Sequence, residues 1–411
     1  MRQIFIVACV AVLFASCKKA NNPEPIENNK AVKWTKTFGG SDYDMSNSII
    51  QLSSGDYVFA GATRSKDGDI TGNRVGYDAW LGKTDVNGNK TWSVTFGGND
   101  DDYANSVAAT PDGGFLLAGY TFGNSQNSSW ILKTDASGNQ QWQKKLNEGT
   151  NSQAVSILSN EDATFLVLGY TTGAGLDGLV TKVDANGNIL WVKLYGGSGD
   201  DYFTSAVKTT DGFILTGYTK SSDGVLQQNR GNFDGWIMKI DQSGNKVWSM
   251  NYGGQGEDYL KSIVAAGDGG YVAAGYTKST NGDIPTNKGG SDEWLIKIDG
   301  SGNKQWVKTY GGFNDEYITN IVASRDGGFI TVGYTNSTTG DVYRTSNDFG
   351  GWMIKVDANG NKTAASTYGT DKLDDFTNTL IPTQDGGYIL GGYTFTTTRG
   401  VDGWLVKIDN F

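Results

Sequence analysis

Tryptophan returns along this chain at nearly constant intervals. Trp34, Trp92, Trp142, Trp191, Trp248 and Trp306 are spaced by 58, 50, 49, 57 and 58 residues, and Ala364 stands a further 58 on. No bulk property restricts the fold as much as this period does. Repeats of such length mark one supersecondary unit stacked many times, as in propeller blades or long solenoid units.

One unit can be followed from Trp248. Tyr252-Gly253-Gly254 is followed by Glu257-Asp258-Tyr259, the turn Gly267-Asp268-Gly269-Gly270 and a run ending Gly275-Tyr276-Thr277. A loop then leads to Trp294 and to the turn before Trp306. Period-2 alternation and Val, Ile, Tyr and Trp content predict four strands per unit. In this unit they are A at 262–266, B at 271–277, C at 294–298 and D at 304–310. The connections carry turn chemistry. Thr110-Pro111-Asp112-Gly113-Gly114 and Asp357-Ala358-Asn359-Gly360-Asn361 suit a type I turn closed by a glycine with positive φ.

The chain ends complete one another. The last unit stops after its strand C, at 407–411, while 32–38, with Trp34, is a strand D lacking a preceding C. Joining them closes a ring and removes the exposed sheet edges. The expected fold is therefore all-β: one seven-bladed β-propeller of four-stranded blades over 32–411, closed by the N-terminal strand and monomeric. The 59 glycines and 12% aromatic content fit many turns and aromatic-rich strands.

Tyr195-Gly196-Gly197-Ser198-Gly199-Asp200-Asp201-Tyr202, followed by Gly217-Tyr218-Thr219, resembles the bacterial SBBP-type β-propeller repeats. The stretch from Ile298-Asp299 to Trp306 is similar to quinoprotein-type propeller repeats. These resemblances span Trp34 to Phe411 and imply the fold. They imply no activity, because both groups hold many non-catalytic members.

The first residues read as an address. Arg2 precedes a short apolar run, 4–14, too short to span a membrane. Leu13-Phe14-Ala15-Ser16-Cys17 resembles a bacterial lipobox, with Phe14 where the family prefers an aliphatic residue. The resemblance implies a signal peptide at 1–16, a lipid on Cys17 and anchoring in a Gram-negative cell envelope. Lys18 after the cysteine is compatible with the outer membrane. Cys9 would be removed, leaving Cys17 without a disulfide partner. Residues 17–31 read as a tether of roughly 20 Å.

Composition excludes several functions. The net charge is −10 and no basic run follows the first twenty residues, so there is no nucleic-acid footprint. The chain has no histidine, which removes Ser-His-Asp and Cys-His catalysis, His-ligated zinc and C-x-x-C-H haem attachment.

Loops D–A and B–C must share one face of the ring, where the variable material lies. The B–C loops are long at 65–77, 221–233, 279–290 and 337–349, and three of them form a wall over blades 4 to 6. Tyr77, Arg230, Phe233, Tyr343, Arg344 and Phe349 give it aromatic and cationic groups for a polysaccharide or a protein ligand. The D–A loops carry a recurrent carboxylate: Asp44, Asp102, Asp201, Asp258, Glu316 and Asp375. Together they offer a ring for Ca²⁺, which prefers oxygen ligands; singly, each can accept backbone N–H bonds within its own blade. Unit 3 departs from the pattern at 146–152 and 160–163, and has Leu179 for Trp. Trp80, Trp130, Trp236, Trp294, Trp352 and Trp404 recur in register, as interblade packing demands. The sequence thus points to a non-catalytic binding scaffold without a resident cofactor. A glycoside-active enzyme would need a carboxylate pair, for which Glu148, Asp200, Glu293 and Asp315 are the candidates.

Overall fold

The computed structural model describes residues 32–411 apart from 73–74, 124, 148–149, 174, 227–228, 343, 370–372, 398–399 and 410. The signal segment 1–16, the tether with Cys17, Glu148 and Tyr343 lie outside the described residues. The strands form seven four-stranded antiparallel sheets, and no helix occurs among the described residues. The protein is a seven-bladed β-propeller. Blade 1 runs Asp44–Gln51 (A), Tyr57–Thr63 (B), Asp78–Thr84 (C) and Lys90–Phe96 (D). In blade 7, Asp375–Pro382, Tyr388–Thr396 and Gly400–Ile408 are completed by Val32–Phe38, which pairs Thr35 with Val406 and Thr37 with Trp404. The ring therefore closes through the chain ends, as the repeat phase requires.

In blade 5, strands B (Tyr271–Thr277) and D (Lys304–Tyr310) fall where the alternation places them. Strand A, Asp258–Ala265, begins four residues before the expected 262, and strand C, Asp292–Ile298, two before 294. Both gain a buried carboxylate at their start. A buried acid breaks the apolar–polar alternation on which the reading from sequence depends, so the extra residues look like loop.

The hairpin turns follow their chemistry. Gly113 has φ 83°, Thr110 N–H donates to Gly114 O at 2.9 Å, and Gly113 N–H donates back to Thr110 O at 2.9 Å. At the C–D turns an aspartate ties the loop: Asp357 Oδ1 accepts from the N–H groups of Asn359 and Asn361, both at 2.8 Å.

Two sets of tryptophans join the blades. The strand-C indoles Trp80, Trp236, Trp294 and Trp352 are fully buried. A Cβ added at Gly403 of blade 7 would stand 3.0 Å from Trp80 of blade 1, so the indole lies over the preceding blade's glycine. The strand-D tryptophans pack on the next blade's C–D turn; a Cβ at Gly187 would meet Trp142 at 2.5 Å. Truncating a buried indole costs about 3–5 kcal/mol. The strand-C tryptophans are thus packing residues and present no platform to a sugar.

Candidate functional site

The recurrent carboxylates come first, because they open the innermost strands. Asp201 is fully buried. One of its oxygens accepts from Thr219 Oγ1, the other from Ser221 Oγ at 2.8 Å and Gly197 N–H at 2.9 Å. Asp44 and Asp258 hold the same three partners, Thr63, Ser65 and Gly40 in one case and Thr277, Ser279 and Gly254 in the other. Glu316 accepts from Thr335 Oγ1 at 2.6 Å and Gly312 N–H at 2.8 Å, Asp102 from Gly98 N–H at 2.9 Å, and Asp375 from Thr394 Oγ1. Asp44, Asp201, Asp258 and Glu316 each latch strand A to strand B and to the D–A loop before it. The expected cation ring does not assemble: none of the six lines the central cavity. Among the described residues no group of three or more Asp, Glu or Cys is placed to hold a metal.

The wall of loops is also drawn inward. Arg230 Nη1 donates to Asp283 Oδ2 and, at 3.1 Å, to Gly253 O, so it ties the blade 4 loop to blade 5. Arg344 is 7% exposed, and its guanidinium lies against Gly350, where most other blades open strand C with a carboxylate. Arg344 is thus withdrawn from the wall as a ligand contact, whereas the Arg230 side chain stays 46% exposed while it makes these bonds. Phe233 turns onto Tyr218 and Tyr259, with centroids 5.6 and 5.4 Å away, and Phe349 onto Tyr334 and Phe376 at 5.6 and 5.5 Å. Tyr77 stacks 5.0 Å from Tyr103, with Arg64 over its other side at 5.5 Å.

These rings extend an aromatic belt that sequence reasoning missed. The residue after each latch carboxylate faces a strand-B residue across the ladder, as Tyr202 does Tyr218 and Tyr317 does Tyr334. The strand-B ring then meets the next blade, as Tyr170 meets Tyr202 at 4.8 Å and Tyr276 meets Tyr317 at 4.9 Å. The contacts run unbroken from Tyr170 to Tyr393. Blade 1 has Met45 and Ala62 at this pair of positions, which leaves the belt open on that side.

Inside the belt lies a central cavity of about 560 Å³, within the range of small-ligand sites. It is shaped by one β-bulge in every strand A. The bulged residues are Asn47, Asn105, Val155, Thr204, Lys261, Thr319 and Asn378, and all seven line the cavity. A bulge re-aims the side chain of the extra residue, here into the channel. The next residue is serine in five blades: Ser48, Ser106, Ser156, Ser205 and Ser262. Tyr120, Tyr276, Tyr317 and Tyr334 also line it, with Gln153, Ile318, Asn320 and Thr379. Lys261 is its one cation, and no carboxylate lines it among the described residues. The ammonium sits over Tyr218, Tyr259 and Tyr276 at 4.8, 5.6 and 5.5 Å from their centroids. Burial among these rings pulls its pKa down to about 8. Aligning the units on their carboxylate exposes this position, three residues on, as the sole lysine in a column of amides, hydroxyls and one valine.

Of the acids proposed for glycoside chemistry, Glu148 lies outside the described residues and the other three are engaged or sealed locally. Asp200 accepts from Leu176 N–H at 3.1 Å and Asp315 from Ser291 N–H at 2.8 Å, each bracing the preceding blade's loop. Glu293 is fully buried in blade 5, where blades 3, 4, 6 and 7 carry a glycine. Its oxygens make no well-formed hydrogen bond among the described residues, with the Thr331 hydroxyl the side-chain donor set toward them. Burial, then the charges of Asp341, Glu316 and Asp292, pushes its pKa to about 8, against a favourable effect from Thr331. Burial likewise raises Asp234 and Asp292 to about 6 and Glu316 to about 7. None of these acids lines the cavity.

No family model matches this chain, and no curated protein matches it. Solved structures share its general form. A protein of unknown function from Bacteroides caccae is 13% identical, with 70% of this chain and 90% of that one covered and a TM-score of 0.42. One from Dyadobacter fermentans is 10% identical, with 92% and 99% covered and a TM-score of 0.44. Sqt1 of Chaetomium thermophilum is 12% identical, with 91% and 97% covered and a TM-score of 0.48. At these levels nothing about ligand or partner transfers.

Proposed function

We propose that this protein is a non-catalytic, lipid-anchored β-propeller of the cell envelope that binds a polar ligand, of glycan type, at the mouth of its central channel. One observation carries the reading. The cavity is of ligand size, lined by hydroxyl and amide side chains and ringed by tyrosines, with its one charge supplied by a single lysine. Hydroxyls and amides match a sugar's hydrogen bonds, while aromatic rings cover its apolar faces. The sealed position of the perturbed acids favours binding over glycoside hydrolysis, which needs two carboxyl groups flanking the bond. The anchor rests on the resemblance of 13–17 to a lipobox, and Lys18 after the cysteine is compatible with the outer membrane.

The test is a thermal-shift screen of the full chain in detergent against neutral and acidic oligosaccharides, with product analysis of each mixture. A ligand that binds only the folded state raises Tm by mass action. The expected result is a shift with at least one saccharide, lost in Tyr334→Ala, without new reducing ends. A panel that shifts nothing would sink the glycan reading, and released sugar would establish the enzyme instead. Cys17→Ser is expected to move the protein from the membrane to the soluble fraction; retention at the membrane would rule out the lipid.

A further inference from the structure

Five of the seven bulge side chains donate hydrogen bonds that link inner strand to inner strand. Asn47 Nδ2 donates to Ala104 O at 3.1 Å and Asn105 Nδ2 to Ala154 O at 2.8 Å. Thr204 Oγ1 donates to Leu260 O at 3.0 Å, Thr319 Oγ1 to Thr377 O at 2.9 Å, and Asn378 Nδ2 to Ser46 O at 3.2 Å. Each of these five donors reaches the backbone of the next blade. Val155 has no polar atom to offer. Lys261 has three N–H groups, yet no oxygen of a described residue accepts from Nζ. The ammonium rests only on ring faces.

A lysine at this place is costly for the scaffold. A threonine, as in blades 4 and 6, would offer a hydroxyl to the next inner strand and leave Val155 as the one gap in the series. Ring faces attract the ammonium but leave its three N–H groups without an acceptor, whereas an anion would supply charge-assisted hydrogen bonds. The rings also hold Nζ in a fixed position beside the cavity, so that an anion can be met without reordering the side chain. The protein as a whole carries −10, yet Lys261 is the one charged side chain on the channel lining among the described residues, so an anion entering there meets a cation with no carboxylate beside it on the lining.

We infer that Lys261 is the anion-reading group of the channel and that the ligand is an acidic saccharide, its carboxylate on Lys261 Nζ and its hydroxyls on the surrounding serine, threonine and asparagine side chains. This rests on the reading of the channel as a glycan site and adds the charge class of the sugar. A peptide is a poorer fit, because Val155 and Ile318 are the aliphatic side chains in the lining and give apolar residues little to bury against.

Calorimetric titration of the full chain in detergent with oligogalacturonate and, separately, with its methyl-esterified form decides the matter. The two probes share hydroxyls and rings and differ in charge. Lys261→Thr is the informative variant, since threonine already occupies the equivalent bulge at Thr204 and Thr319. The expected result is that wild type binds the acid form at least ten times more tightly than the ester, and that Lys261→Thr removes this preference while still binding the ester. Equal affinity of wild type for both forms would overturn the role of Lys261 and leave the glycan site standing. A preference retained in Lys261→Thr would place the anion elsewhere. Binding of neither form would overturn the acidic-saccharide assignment, and the wider oligosaccharide panel would then judge the glycan site by itself.

Discussion

Glu293 offers a stability test whose size follows from its surroundings. Its carboxyl is sealed in blade 5 beside Asp292, Glu316 and Asp341, and burial holds it protonated to about pH 8. In the unfolded chain the same group ionises near 4.5. The folded state therefore keeps a proton that the unfolded state has released. The contribution is fully present below about pH 4.5 and is lost as pH rises through 8. At about 1.4 kcal/mol per pKa unit, raising the pH from 5.5 to 8.5 removes about 3 kcal/mol through this residue alone. Glu316 and Asp292 add to the fall with the same sign, since burial raises both. Glu293→Gln keeps the shape and removes the titration. Urea unfolding at pH 5.5 and 8.5 measures the effect, with the free energy taken by linear extrapolation. Wild type is expected to lose about 3 kcal/mol more than the variant across that interval. Equal losses in the two proteins would show that Glu293 is not a buried neutral acid, and the argument from its burial would fail.

Two further outcomes follow from the scaffold. Asp258→Ala removes the acceptor for Thr277 Oγ1, Ser279 Oγ and Gly254 N–H; urea unfolding should show a loss of about 2–4 kcal/mol, and added Ca²⁺ should leave Tm unchanged in both proteins, whereas a Ca²⁺-dependent rise confined to wild type would restore the carboxylates as a metal site. Deleting 32–38 leaves strand C of blade 7 as an unpaired edge and removes the contacts of Phe38 with Phe59 and of Trp34 with Tyr57; size-exclusion chromatography should show association or aggregation, while a stable monomer with unchanged Tm would mean that the closing strand is dispensable.

The repeat, its turns and the closure by 32–38 were legible because they depend on neighbours in sequence. Alternation fixes which residues share a sheet face, Asp and Gly at fixed offsets fix the hairpins, and the missing strand at each end fixes how the ring is joined. The recurrence of Trp80 and its equivalents also identified them as packing residues. Tertiary structure alone decided where the polar groups point. Phe233 and Phe349 look like wall residues in sequence, but the curvature of the ring brings the belt tyrosines of adjacent blades within reach of them. Asp201 and its equivalents could be read from sequence as a cation ring or as local acceptors, and in the fold donors from strand B and the loop glycine occupy the Asp201 oxygens. Lys261 falls just before the strand A expected at 262–266; in the fold it lies within that strand, and a one-residue bulge turns it into the channel. Burial sets the titration of Glu293, and burial belongs to the assembled ring, not to the strand that carries the residue.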